Sequence, residues 1–377
     1  MKAKLAKHLT TGRVYWVGLF AVTWLLSQYS FQLYKALDAR WIIRFPKKYQ
    51  LRVDSWISAF LDWLMNTASF GLFTFRDLTR GIAFLIEVPY QFLRDLLIEG
   101  FQTGIGDQAA QIAPSLSWIA VIAIAVLVGH YARDVALAIL VGACFFYLAV
   151  FGQWSSAMIT LASVLVAVPI GAVGGLVLGI FAYKAPWVEK TLRPILDLMQ
   201  TVPVFAYLVP ILILFGFGPV AALVATVIYA MPPMVRVTIV ALRNVPEELL
   251  EAGRMSGCTP RQMTWKVLVP AATPTLMVGV NQVIMLTLNM VIIASMIGAG
   301  GLGFDVLASL RKLDIGGGIE AGLAIVVMAI ALDRASQAFS ERNIRGARTG
   351  NVFQRHPWVA TGLIVTIVTL ILGKVVP

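Results

Sequence analysis

Residues 251–270 read EAGRMSGCTPRQMTWKVLVP. Glu251, Arg254, Arg261 and Lys266 fall here, in a chain whose mean hydropathy is +0.82. The stretch is dense in helix start and stop signals. Asn244 is placed to cap a helix that begins around Val245 and Pro246, because first-turn N–H groups have no intrahelical partner and proline costs nothing there. Glu247 and Glu248 then sit where the helix dipole favours negative charge. Gly257 supplies the left-handed residue that ends such a helix. Thr259 caps the next one, Pro260 takes its first position, and Gln262 completes a capping-box pattern. Pro270 is expected to interrupt that second helix. The expectation for 244–270 is therefore helix, tight turn, helix. A polar hairpin built to hold its shape suggests docking; a solvated connector is the plainer alternative.

The surroundings of the hairpin are apolar. Of 377 residues, 59% are hydrophobic and 13% charged, against roughly 45–50% and about 25% in soluble domains. That composition excludes an ordinary soluble enzyme and implies a polytopic membrane protein. The net charge of +11 fits basic residues gathered in cytoplasmic loops near anionic lipid, and no nucleic-acid partner is expected. Cys144 and Cys258 form no CxxC, and no HExxH occurs. Neither a disulfide framework nor a metal site is expected.

Apolar runs near 14–34, 115–131, 135–152, 156–183, 197–217, 219–240, 275–297, 319–337 and 358–376 suggest about nine transmembrane helices. With the hairpin inside, eighteen Lys and Arg residues fall in inner segments and three, Arg311, Lys312 and Lys374, in short outer ones. The positive-inside rule then puts the N-terminus in and the C-terminus out. The long segment 35–113 has a different pattern, mixing Trp56, Phe60 and Trp63 with charges at helical spacing. Amphipathic helices lying on the membrane, or a packed extracytoplasmic subdomain, both fit.

The spacing Glu251-Ala252-Gly253, three residues, Gly257, nine residues, Val267-Leu268-Val269-Pro270 resembles the EAA motif of ABC-importer permeases. The chain departs from it at Gly253 for Ala, Val267 for Ile and Val269 for Leu, all small or apolar changes. The segments 199–218, 231–238, 279–303, 311–318 and 331–338 look like the glycine betaine/proline (quaternary amine) branch of that family. The resemblance covers roughly 115–340. It implies a type I ABC-importer-like permease core within an all-α polytopic fold, in a bacterial cytoplasmic (inner) membrane. It also implies a coupling helix that seats in a cytoplasmic ATPase, with Glu251, Ala252, Gly253, Arg254, Gly257 and Pro270 as coupling positions. The implied partners are two ABC ATPase subunits that bind ATP and Mg, an extracytoplasmic substrate-binding protein, and a second copy of the chain as a homodimer.

The implied domain order is an N-terminal helix (1–34), an amphipathic segment (35–113), a permease core (115–340) holding the hairpin 244–270, and a basic linker with a last helix (341–377). The first and last spans look like additions to the core.

Energy coupling must come from elsewhere. Proton- and sodium-driven carriers commonly keep acids within their spans, and here Asp197, Glu320 and Asp333 lie only near predicted span ends. No GxxxxGK[ST] occurs, so the chain has no nucleotide site of its own. The literal GxGxxG at Gly298–Gly303 comes after a membrane helix rather than a strand, which removes the dinucleotide reading. No cofactor is expected in this chain.

Within the spans, Gly171, Gly175 and Gly179 share one face for close helix packing. Gln200, Thr201 and Pro203 interrupt one span, with Phe205 and Tyr207 just after them. Asn281, Met285, Asn289 and Ser295 lie within another. These nine residues are the candidate lining of a translocation path, with interhelical bonding as the alternative for the polar ones. A quaternary ammonium has no N–H to donate, so aromatic faces are what a protein can offer it. The expected function is a permease working by alternating access for a betaine-like or related small amine. An ion-gradient-driven carrier, or a permease for another small solute such as an amine oxide, is the competing reading.

Overall fold

In the computed structural model, residues 2–37, 45, 49–69, 74–103 and 110–344 are described. The expected span at 358–376 lies outside them. Two units are present, residues 1–68 and 69–377.

The first unit holds α1 (Lys2–Leu37) and α2 (Val53–Asn66). The expected first span lies inside α1, a single helix of 36 residues. In α2 no residue is buried, and Trp56, Phe60 and Trp63 stand exposed. That is the surface an interfacial helix presents to lipid headgroups.

The second unit begins with α3 (Phe75–Arg94). Thr74 caps it: the Asp77 N–H donates to Thr74 Oγ1 at 3.2 Å, and Asp77 accepts from the Thr74 N–H at 3.0 Å. The Thr74 hydroxyl and backbone N–H together hold the Asp77 carboxyl below the usual range. Ile86 and Tyr90 of α3 are buried in the main core, so part of 35–113 is packed structure. Next come a π-helical turn (Asp95–Glu99) and a two-stranded antiparallel ribbon. Its strands β1 (Phe101–Thr103) and β2 (Ala110–Ala113) pair Gln102 with Gln111.

The remaining helices are α4 (Trp118–Ala132), α5 (Val135–Val150), α6 (Trp154–Lys184), α7 (Pro186–Thr201), α8 (Val204–Phe215), α9 (Pro219–Arg243), α10 (Glu247–Met255), α11 (Pro260–Gln262), α12 (Val269–Ser295), α13 (Leu302–Lys312) and α14 (Ile315–Ile344). Among the described residues, 4 helices are long and apolar enough to cross a membrane: 154–184, 219–243, 260–295 and 315–339. Joining α7 and α8 gives up to 5. The helices α4 and α5 are shorter, at 15 and 16 residues, about 23 Å each at 1.5 Å per residue. The fold is an all-α membrane fold. Its count of long spans is lower than the sequence suggests, because α1 falls outside that group, α4 and α5 are short, and one span is broken.

The break has a local cause. Val202 is extended (φ −67°, ψ 129°) ahead of Pro203, as the proline ring requires of its predecessor. Here α7 and α8 meet at 104°. The expected span 197–217 is therefore two helices, and α7 carries an apolar face of Val188, Leu192, Leu196 and Met199 against Ala182, Val235 and Ile239.

The core centres on α6, α9 and α12. A Cβ at Gly175 would lie 2.6 Å from Met234 Cβ, and one at Gly179 would lie 2.5 Å from Thr238 Cβ. At Gly171 the nearest atom is Val283 Cγ1, 3.2 Å away. The glycine face of α6 thus lets α9 and α12 approach closely, the packing role read from its spacing.

Candidate functional site

The hairpin begins where α9 ends. Asn244 is the C-cap of α9, its N–H bonded to Val240 O at 3.0 Å. It does not cap α10: that position belongs to Pro246, which has no side-chain cap. Buried Val245 sits between the two helices and fixes the change of direction. The end of α10 is a Schellman motif. The Cys258 N–H donates to Gly253 O at 3.1 Å, and the Gly257 N–H donates to Arg254 O at 3.0 Å. Gly257 adopts φ +70°, and a Cβ there would meet nothing within 4 Å. Its requirement is one of backbone conformation alone.

Thr259 then opens α11 with a complete capping box: Thr259 N to Gln262 Oε1 at 2.9 Å, and Gln262 N to Thr259 Oγ1 at 3.3 Å. Pro270 does not interrupt the helical run into the membrane. A π-helical turn at Met263–Leu268 shifts the register, with the Val269 N–H bonded to Thr264 O. Proline lacks an N–H and crowds the carbonyl four residues back; the wider turn just before it relieves that conflict. Residues 260–295 therefore form one helix of 36 residues from hairpin to far end.

This hairpin is seated firmly. Leu250 and Met263 pack on a buried cluster that includes Val245, Leu268, Ala272 and Leu276. Gly253 is buried against Met263, whose Cε would lie 2.8 Å from an added Cβ. The outward surface is different. Glu251, Ala252, Arg254 and Gly257 are exposed, and Met255 is 84% exposed. Among the described residues, Glu251, Arg254, Arg261 and Lys266 form no ion pair within the chain. A rigid base thus presents unspent charge and one apolar tip.

The nine candidate path residues are scattered. Gln200 accepts from Arg236 Nη1 at 2.6 Å. Thr201 donates to its own helix, at Asp197 O. Pro203 is the N-cap of α8 at the break, with Phe205 exposed beyond it. The Tyr207 hydroxyl is buried with no hydrogen-bond partner among the described residues. Asn281 accepts a short hydrogen bond from Ser336 of α14. Ser295 is buried and donates to Val291 O and Gly300 O. These last two spend their polar atoms inside the protein. Met285 and Asn289 instead join Gln282, Ile292 and Met296 on one exposed stripe of α12, so Gln282 rather than Asn281 continues that face.

The GxGxxG segment is a packed turn. Gly300 and Gly301 have φ of +70° and +73°, and the Leu302 N–H donates to Thr160 Oγ1 at 3.0 Å. A Cβ at Gly301 would lie 2.5 Å from that oxygen. Sequence reasoning missed the residues between α7 and α9. Arg236 bonds Asp197 at 2.6 Å as well as Gln200, and Glu189 pairs with Arg243 and, at 2.9 Å, with Arg193. The only signal was a set of charges near predicted span ends.

Long apolar helices, one broken span and a capped hairpin continuous with a span define a polytopic helical membrane protein. The profile of the family described as "Binding-protein-dependent transport system inner membrane component" matches residues 171–345. The chain belongs to that family. It is 40% identical over 311 residues to the glycine betaine/proline betaine transport system permease protein ProW of Escherichia coli (strain K12), covering 82% of this chain and 79% of that one. It is 40% identical over 281 residues to the glycine betaine transport system permease protein OpuAB of Bacillus subtilis (strain 168), covering 74% and 92%. It is 41% identical over 311 residues to the trimethylamine N-oxide transport system permease protein TmoV of Pelagibacter ubique (strain HTCC1062). That match covers 79% of this chain and 43% of the relative, so the chain spans less than half of that relative's length. As a member of this family the chain is an inner-membrane component of a transport system.

Proposed function

We propose that this chain is the membrane-spanning subunit of an ATP-driven importer for a small, fully methylated amine such as glycine betaine or trimethylamine N-oxide. The observation that carries the reading is the hairpin: a braced, capped turn continuous with a span, whose exposed Glu251, Arg254, Arg261 and Lys266 form no ion pair among the described residues. Such a lever needs a cytoplasmic engine, and the family supplies the expectation of ATPase subunits on the cytoplasmic face and a loaded binding protein on the far side. ATP and Mg belong to that partner. The relatives' cargoes both carry methylated nitrogen with no N–H, so recognition rests on shape and on aromatic faces.

A second copy of the chain completes the reading. The exposed stripe of α12 holds Gln282 and Asn289 within a span. Amide side chains facing hydrocarbon are costly, so a homodimer that covers this stripe, or encloses it around a wet path, satisfies them. The test is uptake of labelled glycine betaine and trimethylamine N-oxide into proteoliposomes holding the chain, its ATPase and its binding protein. Uptake is expected with ATP and absent under a sodium or proton gradient alone. Gradient-driven uptake without ATPase would refute the proposal in favour of a secondary carrier.

A further inference from the structure

We propose that Arg236 is a positioning residue that ties the break in the α7–α8 span to the stem of the hairpin. The inference rests on the importer reading and adds to it a named route for the motion.

The geometry runs along two antiparallel helices. Near the start of α7, Glu189 pairs with Arg243, the last residue of α9. One helical stretch later, Asp197 pairs with Arg236. Eight residues on α7 span about 12 Å and seven on α9 about 10.5 Å at 1.5 Å per residue. The two ties therefore match in spacing and lock the helices in register. Glu189 is 7% exposed, the only buried charged residue among those described.

Arg236 makes the tie that reaches the bend. Its two terminal nitrogens hold Asp197 and Gln200, each at 2.6 Å. These acceptors are three apart and share a face. The flat guanidinium fork suits two acceptors in a way a lysine ammonium does not. Both acceptors lie in the last turn before Val202-Pro203, where the chain turns by 104°. On the other side, α9 runs from Arg236 to Arg243 and directly into Asn244–Pro246 and α10. Beneath the ties, Leu196 packs on Val235 and Ile239. That apolar contact resists separation of the helices but not sliding. A cavity of about 370 Å³ bordered by Glu189, Asp197, Arg236 and Arg243 leaves the charged forks to fix the axial position. A shift of the hairpin stem is thus passed through Arg236 to the bend.

The Arg236 and Asp197 side chains are 45% and 66% exposed. An exposed pair contributes little to global stability, so Arg236→Gln is expected to leave yield and melting temperature unchanged. Two readouts separate the tie from its role. In a Cys144→Ala, Cys258→Ser background, Met199→Cys places a half-buried thiol beside the bend of the purified chain. Adding Arg236→Gln is expected to raise its maleimide labelling rate about three-fold, the factor an exposed ion pair controls. Arg236→Lys should fall between, and the Asp197→Arg/Arg236→Asp swap should restore protection. Unchanged labelling overturns the tie. In proteoliposomes with ATPase and binding protein, Arg236→Gln is expected to lower solute moved per ATP roughly five-fold, a modest coupling loss, while the ATPase still co-purifies. A wild-type ratio overturns the positioning role. If no ATPase accompanies the wild-type chain, the importer reading fails and the coupling role with it, and labelling alone decides the tie.

Discussion

Replacing Gly257 tests whether the hairpin's shape matters for transport. The residue sits at φ +70° and closes the Schellman turn, and an added Cβ meets nothing within 4 Å. Steric overlap therefore contributes nothing, and the cost is conformational. An L-residue held in the left-handed region costs roughly 1–2 kcal/mol, with β-branched side chains at the upper end and asparagine well below it. A cost near 2 kcal/mol shifts the ratio of formed to open turn by about 30-fold. The amide of Cys258, bonded to Gly253 O at 3.1 Å, reports that opening by hydrogen exchange. Gly257→Asn should exchange like the native chain, Gly257→Ala faster, and Gly257→Val fastest, by about 10- to 30-fold. ATP-driven uptake should fall in the same order while yield and global unfolding stay constant, because the position is exposed. Equal exchange and uptake in the Asn and Val variants would show that the conformation of this turn does not control transport.

Three further outcomes rest on particular contacts. Gly179→Ala puts a Cβ 2.5 Å from Thr238 Cβ and 3.0 Å from Val235 O; overpacking should cost roughly 1–3 kcal/mol, read as a lower melting temperature in detergent. Gly322→Ala, with nothing within 4 Å, should leave that temperature unchanged or raise it. Thr259→Ala removes the capping box and should weaken the second half of the hairpin by about 1 kcal/mol, seen as faster exchange at the Gln262 amide.

Local chemistry made the hairpin legible and also set the limit of that legibility. Gly257, Thr259, Pro260 and Gln262 act through neighbours within a few residues, so their roles can be read from spacing alone. Asn244 was ambiguous, since the same side chain suits the end of one helix and the start of another. Packing of Val245 decided for the end of α9. Pro270 signalled a break, but a π-helical turn absorbed it, a register change that no single residue type announces. At Pro203 the interruption was readable and its 104° angle was not. That angle depends on where Leu196 finds an apolar surface, on Val235 and Ile239. Arg236 was legible only as a basic residue near a span end, because its partners lie 36 and 39 residues earlier. Of the path residues, Asn281 is tied to Ser336, 55 residues away, a contact no spacing shows, whereas Ser295 bonds its own helix and the adjoining glycine turn, at Val291 and Gly300.

The proposed docking of an ATPase on the exposed face of α10 is open to direct test. The most direct measurement is co-purification, in mild detergent, of a co-expressed ABC ATPase from the same organism, comparing the native sequence with Glu251→Arg. Glu251 is exposed and forms no ion pair among the described residues, so its reversal should leave the fold intact. Capture of the ATPase by the native chain and its loss with Glu251→Arg is the predicted result. No capture by the native chain, or equal capture by both, would mean that α10 is not the docking face.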